Sequence, residues 1–168
     1  MKVKLFLNNI EVEADISEED LEKVMSSQKK TGYERVENSS YYYYEEYDGS
    51  VEPVEDRYCK DDDSSYKNAN YYSDKTVAEN NARADKLMRK MRRFAVEHRA
   101  SPLNWTNSGQ NKYYIYYDHK DEEIYVSDNQ IHKSLGSIHF DTKETAWSAA
   151  TAFADELVWY FTEYKDSL

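Results

Sequence analysis

The sequence predicts an α+β fold in which an antiparallel sheet carries helices on one face. Two tyrosine-rich segments, residues 41–51 and 113–126, have the aromatic composition that is typical of β-hairpin strands. Two longer segments repeat apolar residues every three or four positions, which is the pattern of an amphipathic helix. Both kinds of segment occur twice in the same order. We therefore expect a duplicated β-β-β-α unit, preceded by a β-hairpin and a short helix.

Residues 1–31 predict a hairpin and helix ahead of the duplication. Apolar and polar residues alternate from residue 2 to residue 14, and the alternation is interrupted at Asn8 and Asn9. Asparagine tolerates the positive φ that a two-residue hairpin turn needs. Ser17 can then cap a helix, which we expect to reach about Ser27.

The first repeat is predicted to span residues 32–101. We expect an aromatic hairpin from Tyr41 to Val51, a polar loop over residues 48–68, a short third strand around Tyr71, and then a helix. Pro102 ends this helix because proline cannot continue the backbone hydrogen bonds and disfavours helical geometry at the preceding residue.

The second repeat is predicted to span residues 102–168. Its hairpin runs from Tyr113 to Val126, followed by a polar loop over residues 127–136, a third strand over residues 137–140 and a helix. The apolar stripe of that helix contains Ala146, Ala150, Phe153, Leu157, Tyr160 and Tyr164, with Trp147 and Phe161 near it. We expect both repeats and the N-terminal element to form one compact body.

The composition predicts a core built on aromatic rings. Hydrophobic residues make up 39% of the chain, but 17 tyrosines, 5 phenylalanines and 3 tryptophans supply large side chains. Cys59 is the only cysteine, which excludes an internal disulfide. No apolar run approaches the roughly 20 residues of a membrane span, and the quickly charged opening does not resemble a signal peptide. We therefore expect a cytoplasmic protein without a membrane partner.

The charge is distributed unevenly. The segment from Glu34 to Asp63 holds eleven acids and three bases, whereas the segment from Lys75 to Arg99 holds eight bases and three acids. One explanation is that the two segments compensate each other inside the fold. The other is a binding surface, because an acidic strand edge rich in tyrosine can imitate phosphates and stacked bases.

The candidate partner-binding residues are the acids of the first hairpin and its loop. They are Glu45, Glu46, Asp48, Glu52, Glu55, Asp56, Asp61, Asp62 and Asp63. The partner class is a nucleic-acid-binding protein such as a host defence nuclease. Direct binding of nucleic acid is not expected, because the net charge of −11 repels a phosphate backbone. A third interpretation is that the basic helix 83–99 contacts nucleic acid. We rank it last, because the net negative charge opposes the approach of a phosphate backbone.

No motif predicts catalysis, a metal site or a cofactor. The four glycines form neither a Gly-x-Ser-x-Gly turn nor a phosphate loop. The acids at 61–63 are adjacent, whereas calcium loops alternate their ligands and turn at a glycine. His119, His132 and His139 match no common zinc spacing, and we expect His139 to lie at the surface. The tyrosines at 41–44 and 113–117 are expected to pack under helices rather than stack on bases.

The C-terminal helix carries a candidate self-association surface. Trp159 lies off the centre of the apolar stripe and is followed by Tyr160, so this aromatic pair could contact a second copy. A homodimer through these two residues stays open as an alternative.

From about Gly32 onwards, the chain resembles small accessory proteins of phages and prophages of Gram-positive bacteria. The residues that carry the resemblance are the tyrosine-rich hairpin, the segment Asn70–Glu79 and the ending Ala154–Tyr164. Some small acidic proteins from this setting are anti-CRISPR proteins that bind a nuclease such as Cas9. The resemblance implies no catalytic residue.

The leading hypothesis is therefore a non-enzymatic phage or prophage protein that acts in the host cytoplasm. It would bind and inhibit a nucleic-acid-processing defence protein through its acidic face. The alternative is a phage structural or assembly accessory protein that forms homo-oligomers through its aromatic C-terminal helix.

Overall fold

The computed structural model describes residues 2–7, 10–15, 17 and 30–167, and it confirms a mixed α+β fold. Its strands are β1 (Lys2–Leu7), β2 (Ile10–Asp15), β3 (Tyr41–Glu45), β4 (Val51–Glu55), β5 (Lys112–Asp118) and β6 (Glu123–Asn129). Its helices are α1 (Lys60–Lys67), α2 (Lys75–Glu97), α3 (Lys143–Ala152) and α4 (Ala154–Thr162). The turn predicted at Asn8 and Asn9 and the helix predicted after Ser17 lie outside the described residues.

The six strands form three antiparallel pairs, β1 with β2, β3 with β4, and β5 with β6. The third strand expected in each repeat is reduced to a single bridge, which joins Tyr72 to Tyr43 and Phe140 to Tyr113. The chain cannot extend these bridges, because a helix begins almost at once. The side chains of Asp74 and Thr142, two residues after each bridge, already accept a backbone N–H from the first turn of the helix, that of Val77 and that of Thr145 respectively.

A helix occupies part of the segment predicted as a polar loop. Helix α1 begins after Cys59, and its first turn contains the acids at 61–63. Carboxylates are favourable there because the first N–H groups of a helix are unpaired and carry partial positive charge. The acidic run therefore starts a helix as well as charging a surface.

Helix α2 lies at the centre of the molecule. It packs on β3 and β4 through one part of its length and on α3 through another, while α3 covers β5 and β6. One buried cluster joins Val77 and Ala78 to Tyr72 under the first hairpin. A larger cluster joins the C-terminal half of α2 to the second hairpin and the last helices; its buried members are Leu87, Met91, Ala95, Phe140, Ala146, Ala149 and Leu157.

The predicted C-terminal helix is interrupted. Phe153 leaves helical geometry (φ −119°, ψ 22°), ends α3 and begins α4. The rotational phase of the apolar stripe therefore changes between the two pieces. No helix in residues 30–167 is long and apolar enough to cross a membrane.

Candidate acidic interaction surface

Asp56 is part of a buried ionic cluster and does not face a partner. Its carboxylate is fully buried and accepts hydrogen bonds from Arg35 Nε at 3.0 Å and from the Tyr71 hydroxyl at 2.7 Å. The backbone N–H of Tyr58 donates to it at 2.7 Å. Burial acts to raise the pKa of Asp56, but the hydrogen bonds from Arg35, Tyr71 and Tyr58 outweigh it and lower the pKa. The sequence-based assignment of Asp56 as a partner contact is therefore corrected.

Asp62 is also buried, with 3% of its surface exposed. Its carboxylate accepts the backbone N–H groups of Arg57 and Cys59, both at 3.0 Å, and the Tyr42 hydroxyl at 3.2 Å. Burial alone would raise the pKa of Asp62, yet the hydrogen bonds from Cys59 and Arg57 lower it to about 2. Asp62 therefore holds the turn before α1 together and is not a partner contact.

Three further predicted acids are paired within the chain. Glu45 accepts from Arg89 of α2 at 2.5 Å, and Glu55 accepts from Arg57 at 2.8 Å. Asp63 pairs with Arg35, the residue that also binds Asp56. Part of the acidic segment is thus compensated by bases. Only the pair of Glu45 with Arg89 joins this segment to α2, as the first explanation of the charge pattern expected, whereas Arg35 and Arg57 belong to the acidic segment itself.

Four predicted acids remain available to a partner. They are Glu46, Asp48, Glu52 and Asp61, here called the outer acidic face. In residues 30–167 none of the four has a lysine or arginine within ion-pair distance. Asp48, Glu52 and Asp61 are exposed, and Glu46 is half-buried. These four acids lie on the first hairpin and at the adjacent start of α1.

Tyr44 links two of these acids. Its hydroxyl donates to Glu46, and its cross-strand neighbour is Glu52. The hydrogen bond to Glu46, then burial, and then the charges of Glu46 and Glu52 raise the pKa of Tyr44 to about 12. An aromatic ring bordered by two carboxylates suits a cationic side chain, which gains from both groups.

A groove of about 440 Å³ lies between β3, β4 and α1. Tyr42, Tyr44 and Val54 line it together with Asp61. Its one basic residue, Arg57, is paired with Glu55. The groove is therefore large enough for a lysine or arginine side chain and carries unneutralised negative charge at its end.

The outer edge of β4 does not favour strand addition. The backbone N–H and C=O of Tyr43 are both bonded to Tyr72, at 2.8 and 2.9 Å, and therefore point away from β4. Pro53 lies opposite Tyr43 in the hairpin, so the backbone groups of Pro53 point away from β3, towards the outer edge of β4. Proline has no N–H to offer at that position. A partner of this surface therefore has to be recognised through side chains. Pro53 is the sequence signal for this feature.

The predicted self-association residues are engaged within the chain. Trp159 is 8% exposed, and the Arg83 guanidinium lies 3.9 Å from its ring centroid. Tyr160 stacks on Tyr164 with ring centroids 5.2 Å apart. Trp147, which was placed near the apolar stripe, is instead 41% exposed. The break at Phe153 changes which side of α4 faces the core and so accounts for the burial of Trp159. Trp147 precedes the break and lies outside the buried face that Ala146, Ala149 and Ala150 form on α3.

The structure does not bring the histidines of the described residues together with other candidate metal ligands. Within the described part of the chain, no three His, Cys, Asp or Glu residues are grouped as metal ligands would be. His139 is buried, not at the surface as expected, and packs edge-to-face on Trp105 at 4.8 Å. Burial lowers the pKa of His139, so the ring is neutral at physiological pH.

Comparisons with known proteins add no relative. No family model matches the chain, and no curated protein or solved structure is significantly similar to it.

Proposed function

We propose that this protein binds the basic, nucleic-acid-contacting surface of another protein and thereby blocks it. The observation that carries the proposal is the outer acidic face: Glu46, Asp48, Glu52 and Asp61 remain without basic partners in residues 30–167, although neighbouring acids are paired. The target class is a nucleic-acid-processing defence protein, such as a nuclease, in the cytoplasm of a bacterial host. The protein itself is proposed to be a non-enzymatic phage or prophage product.

The proposed mechanism is electrostatic competition. Carboxylates beside tyrosine rings present negative charge and flat aromatic surface together, as a nucleic acid presents phosphates and bases. Uncompensated charge also speeds encounter with a basic surface. Inhibition then needs no chemistry, because the occupied surface can no longer accept its nucleic acid.

The experiment is affinity capture from a Gram-positive host lysate with three baits. They are the native protein, the triple variant Glu46→Lys, Glu52→Lys, Asp61→Lys, and a control variant with Glu122→Lys, Asp128→Lys, Glu163→Lys. The control acids are exposed, have no ion-pair partner in residues 30–167, and lie outside the outer acidic face. We expect a nucleic-acid-binding protein to be captured by the native and control baits and lost from the first variant.

Both variants change the net charge equally, so a general loss of negative charge affects them alike. Asp56 and Asp62 are left unchanged because their reversal would place lysines in buried positions. Equal capture by all three baits at physiological salt would contradict the proposal. Circular dichroism spectra that match the native spectrum establish that the variants are folded.

We also propose that the two halves descend from one duplicated β-β-β-α unit. Two features support this. In each half the first strand of the hairpin receives one antiparallel bridge, at Tyr43 and at Tyr113. In each half the bridging residue is followed two positions later by the helix cap, Asp74 after Tyr72 and Thr142 after Phe140.

A further inference from the structure

A second site lies away from the outer acidic face. A cleft of about 700 Å³ is formed by the C-terminal end of α2, the segment around Trp105 and the segment 133–139. None of the residues that line it belongs to the outer acidic face. Its volume is in the range of clefts that hold small organic ligands.

The cleft is positively charged in a chain with a net charge of −11. Its charged lining residues are Arg92, Arg99 and Lys133, and no carboxylate lines it. Within residues 30–167, none of the three has an ion-pair partner. Other bases of α2 differ in this respect, since Arg83 pairs with Glu156 and Arg89 pairs with Glu45.

The helix end alone does not explain these cations. Bases near a helix C-terminus interact favourably with its partial negative charge, which accounts for Arg92 and Arg99. Lys133, however, comes from a different segment and converges on the same cleft. Arg99 Nε is buried without a hydrogen-bond acceptor in residues 30–167, and Asp141 Oδ1 is buried without a donor. The carboxylate of Asp141 accepts the N–H groups of Ala100 and Ser101 and does not line the cleft.

Beside the cations lies an aromatic and apolar wall. Lys133 Nζ is 5.9 Å from the ring centroid of Trp105, so the cation and the ring border the same space. Val96 is largely exposed and Leu135 is fully exposed at this cleft. A planar ring that covers these side chains would remove apolar surface from water.

Lys112 fixes the two loop walls relative to each other. Its side chain is fully buried, and its ammonium donates to the carbonyls of Asn107, Gln110 and Gln130. The bond to Gln130 ties the segment after Trp105 to the segment before Lys133. The cleft is therefore held in shape before a ligand arrives, which lowers the cost of binding.

We propose that this cleft binds a nucleoside phosphate. The phosphates would lie against Arg92, Arg99 and Lys133, which supply charge-assisted hydrogen bonds. The base would pack on Trp105 and on the apolar side chains Val96 and Leu135. A small ligand fits better than a nucleic-acid polymer, because a long phosphate backbone would meet the negative charge of the rest of the molecule.

The test is a calorimetric titration of the full-length protein with ADP, adenosine and pyrophosphate, without magnesium. We expect ADP to bind at least about 10-fold more tightly than either adenosine or pyrophosphate, because only ADP contacts both the cations and the ring. The variant Arg92→Gln, Lys133→Gln should weaken ADP binding at least about 10-fold.

The matched control is Lys86→Gln, Lys90→Gln, which removes two exposed bases of α2 outside the cleft and changes the net charge equally. It should bind ADP as the native protein does. The proposal is overturned if ADP shows no saturable heat at millimolar concentration. It is equally overturned if pyrophosphate binds as tightly as ADP, or if both double variants weaken binding alike, because either result indicates a general response to anions.

Discussion

At the residue scale, aspartates that are close together in the acidic segment have different roles, some exposed to solvent and others buried in the fold. Asp61 is exposed at the start of α1, whereas Asp62, the next residue, is buried and holds the turn before it. Asp56 is buried against Arg35 and Tyr71. Local sequence does not separate these cases, because the partners of Asp56 are 21 and 15 positions away along the chain. The acids that stabilise the fold and those proposed to bind a partner can therefore be separated by mutation.

The variant Asp56→Asn should lower the free energy of unfolding by about 2–3 kcal/mol, because Arg35 and Tyr71 lose a charged acceptor in a buried position. Asp61→Asn, an exposed acid of the same segment, should change it by less than about 0.5 kcal/mol. Urea unfolding followed by circular dichroism measures both values. Equal values for the two variants would contradict the structural role of Asp56.

The low pKa of Asp62 predicts acid sensitivity. Its pKa is about 2 in the folded chain and 3.8 ordinarily, so the folded state binds its proton less readily than the unfolded state. The stabilisation is therefore complete above about pH 4 and is lost as the pH falls towards 2. Asp62→Asn should be less stable than the native protein at pH 7 and should lose less stability between pH 4 and pH 2. Thermal unfolding of both proteins between pH 4 and pH 2 tests this prediction. If the melting temperatures of the native protein and the variant fall in parallel with pH, Asp62 is not the source of the acid sensitivity.

At the element scale, the last helix is set by the break at Phe153. The break turns Trp159 towards Arg83, which also pairs with Glu156, so the residue proposed from sequence for self-association closes the core instead. The sequence pattern was interpreted as one continuous helix. A single non-helical residue rotates all later side chains about the helix axis, so that interpretation could not show which side of α4 is buried. Trp147 shows the reverse difference, because the sequence pattern placed it near the apolar stripe and the structure leaves it exposed.

Trp159→Ala should lower the free energy of unfolding by about 3 kcal/mol, because it leaves a cavity beneath Arg83 and removes the cation–π contact. The matched variant Trp147→Ala should cost less than about 1 kcal/mol. Neither should change the mass measured by light scattering after size exclusion. A native oligomer that dissociates specifically in Trp159→Ala would instead support the assembly alternative.

The element types were more predictable than the sites. Alternation and helical periods are local signals, so the α+β class followed from the sequence alone. Helix α1 was missed because an acidic run resembles a solvated loop until Cys59 and Asp62 are seen to cap it. The basic cleft was missed because Arg99, Trp105 and Lys133 come from separate segments that only the fold brings together.

At the scale of the whole molecule, the net charge conceals two regions of opposite sign. The outer acidic face is at the first hairpin, and the basic cleft is at the far end of α2, beside the segment 133–139. Pairs such as Arg89 with Glu45 neutralise part of the contrast along the helix but leave both ends charged. We propose a basic protein partner for one end and a small anion for the other.

The central claim is that the outer acidic face occupies the nucleic-acid site of its target. The most direct measurement takes the complex captured by the native bait and adds increasing amounts of short duplex DNA at constant salt. If the outer acidic face covers that site, DNA will release the target competitively, and excess protein will suppress the binding of DNA to the target. A ternary complex that retains both the protein and the DNA would contradict it, because the two would then occupy different sites.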